Sequence, residues 1–165
     1  MSITEPNELK IDKLKQIKTA LEALSKTTTT LALVIARNLS KVTQLVTHEE
    51  KTFRETQQSF FVKDESGKVI QFIGKPNGEI LTDEAKEERV FKNPKETPLG
   101  EGEVILFKYS DVEAVNSLIS EYNNHDYSEE IQLNKFNPEV LERALESGQI
   151  SAEMLIPLIG TIIPE

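Results

Sequence analysis

The sequence predicts an α+β fold in which an N-terminal pair of helices, one of them very long, precedes a small mixed domain of β-hairpins and short helices. Apolar residues recur at helical spacing up to about residue 62, alternate after Phe61, and then mark short strands and helices. The 165 residues, 38% of them hydrophobic, suffice for one modest core. We therefore divide the chain into a helical arm (1–62), a hairpin with a charged excursion (63–103), and a compact α+β part with an apolar tail (104–165).

The first helix is predicted from Glu8 to Ser25, with Asn7 as its N-cap. Its narrow apolar stripe has steps of three and four residues and consists of Leu14, Ile17, Leu21 and Leu24. Four consecutive threonines follow at 27–30. Because β-branched hydroxyl residues suit caps and turns better than helix interiors, we expect the helix to end there.

The second helix is predicted from about Thr30 to Phe61, which corresponds to roughly 45–50 Å at 1.5 Å per residue. One heptad row is apolar throughout: Leu39, Val46, Phe53 and Phe60. The neighbouring row is apolar only in its first half: Ile35, Val42, Glu49 and Thr56. Because a helix of this length exceeds the body of a small domain, the apolar seam predicts self-association into a homodimer or a higher homo-oligomer.

The middle of the chain predicts β-hairpins. Residues 61–63 and 68–73 alternate on either side of a turn in which Gly67 takes the left-handed conformation. A second turn is predicted at 75–78, where Asn and Gly are adjacent. The highly charged stretch 82–103 contains a short helical pattern at about 83–91.

The last third begins with a predicted buried strand at 104–109. Ser110 and Glu113 form a capping-box pattern for a helix that reaches about Tyr122. The alternating stretch 131–136 predicts a half-buried strand.

A further helix is predicted between Asn137 as N-cap and Gly148 just beyond its C-terminus. Ser151 begins one more helical turn, which Pro157 is expected to stop. The tail 155–163 is the most apolar stretch of the chain. We expect it either to close the small domain or to dock on another chain.

Charge and composition exclude several classes of function. The net charge is −9, with +2 on residues 1–62 and −11 on residues 63–165. An acidic chain is a poor general nucleic-acid binder, although it could imitate nucleic acid in a basic groove. The absence of cysteine rules out disulfides and thiolate metal sites. With no apolar run long enough to span a bilayer and no secretory signal pattern, we expect an intracellular protein that does not enter membranes.

The sequence offers little catalytic chemistry. His48 begins a zinc-protease pattern, but Thr52 stands where the second histidine is required. No glycine spacing matches a phosphate loop or a dinucleotide site. His125 and Asp126 could supply a base and its orienting carboxylate, so a hydrolase built on this loop stays an alternative. We expect a protein without catalysis, metal or cofactor.

A candidate anion site lies at the start of the second helix. Its residues are Thr28, Thr29, Thr30, Arg37, Asn38 and Lys41. Free N–H groups and hydroxyls at a helix N-terminus attract phosphate, and an arginine can clamp it, so a small phosphorylated ligand could bind here. Alternatively, these residues only cap the helix and surround its apolar stripe.

Several segments resemble small proteins of unknown function encoded by tailed phages of Gram-positive bacteria. The similarity lies in the short amphipathic helix, in Ile35–Leu39 of the long helix, in the turn 63–68 and in Ile150–Leu155. It implies a phage setting and the cytoplasm of the infected host cell. The leading hypothesis is therefore a non-catalytic phage protein that sequesters or blocks a host component, such as a defence protein or its nucleotide signal. A minor virion or assembly protein is the structural alternative.

Overall fold

The computed structural model describes residues 8–27, 29–74, 102 and 104–164. In chain order the elements are α1 (Ile11–Ser25), α2 (Ala32–Ser59), β1 (Gln71–Gly74), β2 (Val104–Phe107), α3 (Val112–Asn124), α4 (Pro138–Glu146) and a 3-10 helix (Ala152–Leu158). The fold is mixed and rich in helix, and it begins with the predicted helical pair. Within the described ranges, no helix has the length and apolar content needed to cross a bilayer.

The chain forms two compact units. The first comprises Met1–Lys51 and Tyr122–Glu165, and the second comprises Thr52–Glu121. Both α2 and α3 contain residues of each unit. The boundaries at 62 and 103 that composition suggests do not coincide with these units, because the C-terminal residues pack with the start of the chain.

The core of the first unit is built on α1. The residues of its predicted stripe are fully buried, together with Ile11. On the facing part of α2, Ile35, Val42 and Val46 are also buried. The cover comes from the last third of the chain, through residues that include Tyr127, Ile131, Phe136, Ala144, Ile150, Leu155, Leu158 and Ile162.

This cover corrects the basis of the predicted homo-oligomer. The apolar seam of α2 was expected to pair with a second copy because a helix of this length exceeds the body of a small domain. In the structure, the same chain buries the first half of that seam. The first half of the seam therefore gives no support for self-association, and the homo-oligomer stays a prediction.

The break between α1 and α2 lies where the threonine run predicts it. The hydroxyl of Thr27 donates to the carbonyl of Leu24 at 2.7 Å, which ends α1. The hydroxyl of Thr29 accepts from the amide of Leu31 at 3.2 Å, at the start of α2. α1 begins at Ile11 with Lys10 in the N-cap position, so the predicted start at Glu8 with Asn7 as N-cap is wrong. Asn7 and Thr28 themselves lie outside the described residues.

The C-terminal segment of the first unit follows its predicted caps. Asn137 caps α4 by accepting from the amides of residues 139 and 140. Gly148 follows α4 with φ +71°, a conformation that L side chains rarely adopt. Pro157 lies inside the 3-10 helix, which continues to Leu158, so the predicted stop at Pro157 is wrong by one residue. Leu155 and Leu158 of the apolar tail are buried in the core that contains α1, and not in a separate small domain as one of the two expectations had it.

The second unit contains a two-stranded antiparallel sheet, not the predicted β-hairpins. β1 pairs with β2, with Gln71 opposite Phe107. In the predicted hairpin, Lys63 and Val69 form an isolated bridge, flanked by backbone hydrogen bonds from Asp64 to Lys68 and from Ile70 to Val62. The turn between them does form, with Gly67 at φ +81°. Residues 61–62 also pair with 108–109: the amide of Val62 donates to the carbonyl of Lys108, while its carbonyl accepts from the amide of Ile70. The segment therefore contacts both partners, and the local pairing does not extend into strands of a hairpin.

Three further predictions differ from the structure or fall outside it. The N-cap of α3 is Asp111, whose carboxylate accepts from the amide of Ala114 at 3.0 Å, and not Ser110. Residues 131–136 do not form a strand. The predicted turn at 75–78 and the helix at about 83–91 lie outside the described residues.

Candidate functional site

The predicted anion site is only partly assembled. The hydroxyl of Thr29 already serves as the acceptor that caps α2. Thr30 and Arg37 are exposed. They are seven residues apart, which corresponds to about 10 Å along the helix axis. Of the six predicted residues, Thr30 and Arg37 therefore stay candidates for an exposed site, while Thr28 lies outside the described residues.

Asn38 has a structural place that the sequence analysis missed. Its side chain is 0% exposed. Its Nδ2 donates to the carbonyl of Asn134 at 2.8 Å, and its Oδ1 accepts from the amide of Asn134 at 2.8 Å. The predicted ligand role conflicts with this placement, because a fully buried side chain with both polar atoms bonded inside the protein does not face a ligand.

Lys41 supports the same segment. Its Nζ donates to the carbonyl of Gln132 at 2.8 Å, while its side chain stays exposed. Together, Asn38 and Lys41 tie residues 131–136 to α2. Side chains of α2 therefore bond to backbone groups of residues 131–136 that a neighbouring strand would bond to in a sheet. This explains why the stretch has the alternation of a strand but no strand beside it.

The hydrolase alternative requires Asp126 to orient the ring of His125, and the loop does not form this pair. The ring Nε2 of His125 pairs with Glu130, not with Asp126. Asp126 instead accepts from the amide of Leu9 at 2.9 Å and from the amide and hydroxyl of Ser128. These hydrogen bonds, with the one from Leu9 the largest contribution, hold the pKa of Asp126 below its ordinary value. Asp126 thus fastens the chain before α1 to the loop.

The neighbouring Tyr127 is buried beside a carboxylate. Its hydroxyl donates to Glu49 at 3.3 Å, and the His125 ring lies edge-on to it at 4.4 Å. Burial, followed by the negative charge of Glu49, raises the pKa of Tyr127 to about 12. The phenol is therefore neutral over the whole physiological range, and it serves as a hydrogen-bond donor.

A groove lies between α1 and the 3-10 helix, and the sequence analysis did not predict it. Its volume is about 440 Å³. α1 contributes Lys15, Gln16, Thr19, Ala20 and Ala23, and the 3-10 helix contributes Glu153, Met154 and Pro157. The short alanine side chains leave space beside α1 that a larger residue would fill. Next to the groove in sequence, Ile156 is 63% exposed and Ile159 is 49% exposed.

No protein-family model, curated protein or solved structure matches this chain. The resemblance to phage proteins therefore stays a prediction.

The charges at the groove are unequal. Lys15 has its Nζ 3.0 Å from Glu50 and 5.6 Å from the centre of the Tyr122 ring. The hydrogen bond to Glu50 raises the pKa of Lys15, so this lysine is charged and paired. Among the residues that the structure describes, no cation lies within ion-pair distance of Glu153.

The groove therefore offers apolar surface with one available carboxylate, together with the polar side chains of Gln16 and Thr19. Such a surface is chemically suited to holding apolar groups and a cation. In the described part of the chain, no group of three or more His, Asp or Glu residues could hold a metal ion.

Proposed function

We propose that this chain is a non-catalytic binding protein that acts by binding a segment of another protein. The observation that carries the proposal is the groove between α1 and the 3-10 helix. Apolar grooves with a few polar groups at the edge are the usual form of binding sites in proteins. Ile156, adjacent in sequence to the groove residue Pro157, is exposed.

Rigid supports on both sides favour this site. Ala20 of α1 is buried at its base, next to the fully buried Leu21. On the other side, Met154 packs against the core and Leu155 is buried within it. A groove held by core residues is already formed before binding, which lowers the entropic cost of association.

The biological setting of the proposal rests on the resemblance to phage proteins. It makes the target a host component and the place of action the cytoplasm of the infected cell. A defence protein is the expected target of the groove. The alternative target, a small nucleotide signal, would instead use Thr30 and Arg37 at the start of α2, where both side chains are exposed.

A comparison of captured proteins tests the proposed function. The wild-type chain and two variants are immobilised and exposed to a lysate of Gram-positive host cells. Ala23→Arg fills the groove, and Ala36→Arg makes the same change at another exposed helical alanine outside it. We expect a protein that wild type and Ala36→Arg retain but Ala23→Arg loses. If the three chains capture the same proteins in the same amounts, the groove does not carry the function.

A further inference from the structure

The groove has the dimensions of a short segment of chain. Its residues on α1 run from Lys15 to Ala23, which corresponds to about 12 Å along the helix axis. That length matches two turns of a helix or about four extended residues. Interfaces between folded proteins commonly bury about 1,600 Å², far more than these eight residues can offer. The groove is thus suited to a peptide segment of a partner rather than to a broad folded surface.

The two sides of the groove differ in available charge. On α1, Lys15 pairs with Glu50, and the nearby Lys18 lies 3.7 Å from Glu22. The positive charges on this side are therefore already compensated. On the other side, Glu153 has no cation within ion-pair distance among the described residues.

The stretch that supplies Glu153 is acidic as a whole. Residues 138–158 contain four carboxylates and a single arginine. An occupant that covers the groove removes water from around Glu153, and an unpaired carboxylate resists this desolvation. An occupant with its own cation compensates for the lost water, and the charge also speeds encounter.

We propose that the groove binds a short apolar peptide segment that carries a lysine or arginine, with the cation placed against Glu153. The apolar side chains of the segment lie against Ala20, Ala23, Met154 and Pro157. This inference rests on the proposed function, because it names the partner chemistry of the same site.

Selection from a display library of random twelve-residue peptides tests the inference. Wild type, Glu153→Lys and the control Glu142→Lys serve as targets, Glu142 being an exposed residue of α4 outside the groove. We expect peptides selected on wild type and on Glu142→Lys to be enriched in apolar residues with Lys or Arg. Peptides selected on Glu153→Lys are expected to carry Asp or Glu in place of the basic residue.

The affinity of individual selected peptides is then measured. We expect a selected peptide, labelled with fluorescein, to bind Ala23→Arg at least tenfold more weakly than wild type or Ala36→Arg. Should Glu153→Lys unfold, Glu153→Gln tests the same point, because it keeps the shape and is expected to lose the preference for basic peptides.

The outcomes separate the inference from the proposed function. Peptides that need Ala23 but show no basic preference overturn the inference and leave groove binding intact. Peptides that bind Ala23→Arg as well as wild type, or a library that yields none, overturn both. If light scattering shows a dimer that Ala23→Arg converts to a monomer, the occupant is a second copy and the inference is wrong.

Discussion

Replacing Asn38 by alanine tests how the first unit is held together. The change removes two hydrogen bonds, each 2.8 Å long, between a fully buried side chain and the backbone of Asn134. Each such bond contributes about 1 kcal/mol, and a buried backbone group left without a partner adds a similar cost. Since Asn134 is itself exposed, water replaces part of this loss. We expect Asn38→Ala to lower the free energy of unfolding by about 2–3 kcal/mol.

Urea unfolding at neutral pH measures this loss, as a lower midpoint with an unchanged slope. Asn134→Ala is the matched control, because it leaves in place the backbone groups that Asn38 contacts. We expect this control to change the unfolding free energy by less than about 0.5 kcal/mol, as is usual for exposed positions. Equal effects of the two substitutions, or a cost below about 0.5 kcal/mol for Asn38→Ala, would refute the structural role of Asn38.

The remaining predictions concern titration, ligand binding and mass. Since the folded-state pKa of Asp126 is lowered, its contribution to stability is present above about pH 4, the ordinary pKa of Asp, and is lost as pH falls through the folded pKa. Urea unfolding should therefore show Asp126→Asn to be destabilising at pH 7, with a loss that becomes smaller as the pH falls below about 4. Ultraviolet titration should show one tyrosine that ionises near pH 12, and Tyr127→Phe should remove that transition. If the nucleotide-signal alternative is correct, native mass spectrometry of protein from infected cells should show a bound nucleotide that Arg37→Ala loses. A clean wild-type mass, together with no binding of cyclic or linear signal nucleotides, would remove that alternative. Light scattering should give the mass of a single chain, because the first half of the α2 seam that predicted oligomers is covered from within.

Local patterns predicted the approximate positions of the helices and the caps of α4, whereas the N-caps of α1 and α3 differ from the prediction. The spacing of Leu14 and its neighbours determines which face of α1 is buried, and that face is the observed one. The threonine run and Asn137 act through hydrogen bonds to residues within three positions, so they can be identified in the sequence alone. Such short-range hydrogen bonds form whatever distant parts of the chain do, so they can be predicted from a few neighbouring residues.

Pairings between distant residues could not be predicted in the same way. β1 pairs with a strand about 30 residues later, and nothing in the sequence ranks that pairing above the local hairpin at Gly67. The stretch 131–136 has the alternation of a strand, yet its backbone groups are satisfied by side chains of α2, 96 residues earlier in the case of Asn38. The sequence did contain one signal for this contact: Asn38 is polar, yet its helical spacing from Ile35 and Val42 places it on the buried face of α2.

The groove was missed because it depends on which elements face each other. Ala20 and Ala23 are ordinary helix formers, and their small size matters only once the 3-10 helix lies beside them. Charge gave no indication either, because Lys15 finds its partner on α2, at Glu50.

Two apolar segments of the sequence, the seam of α2 and the C-terminal tail, contribute to one core in the fold. The seam of α2 and the C-terminal tail each exceed what their immediate neighbours could bury, and each alone suggests a binding surface. In the structure, Leu155, Leu158 and Ile162 of the tail join the same core as Ile35 and Val42 of the seam. The apolar surface that stays uncovered in the tail is Ile156 and Ile159, in and just after the 3-10 helix that borders the groove. The groove is therefore a better place to seek a protein partner than the covered first half of the α2 seam.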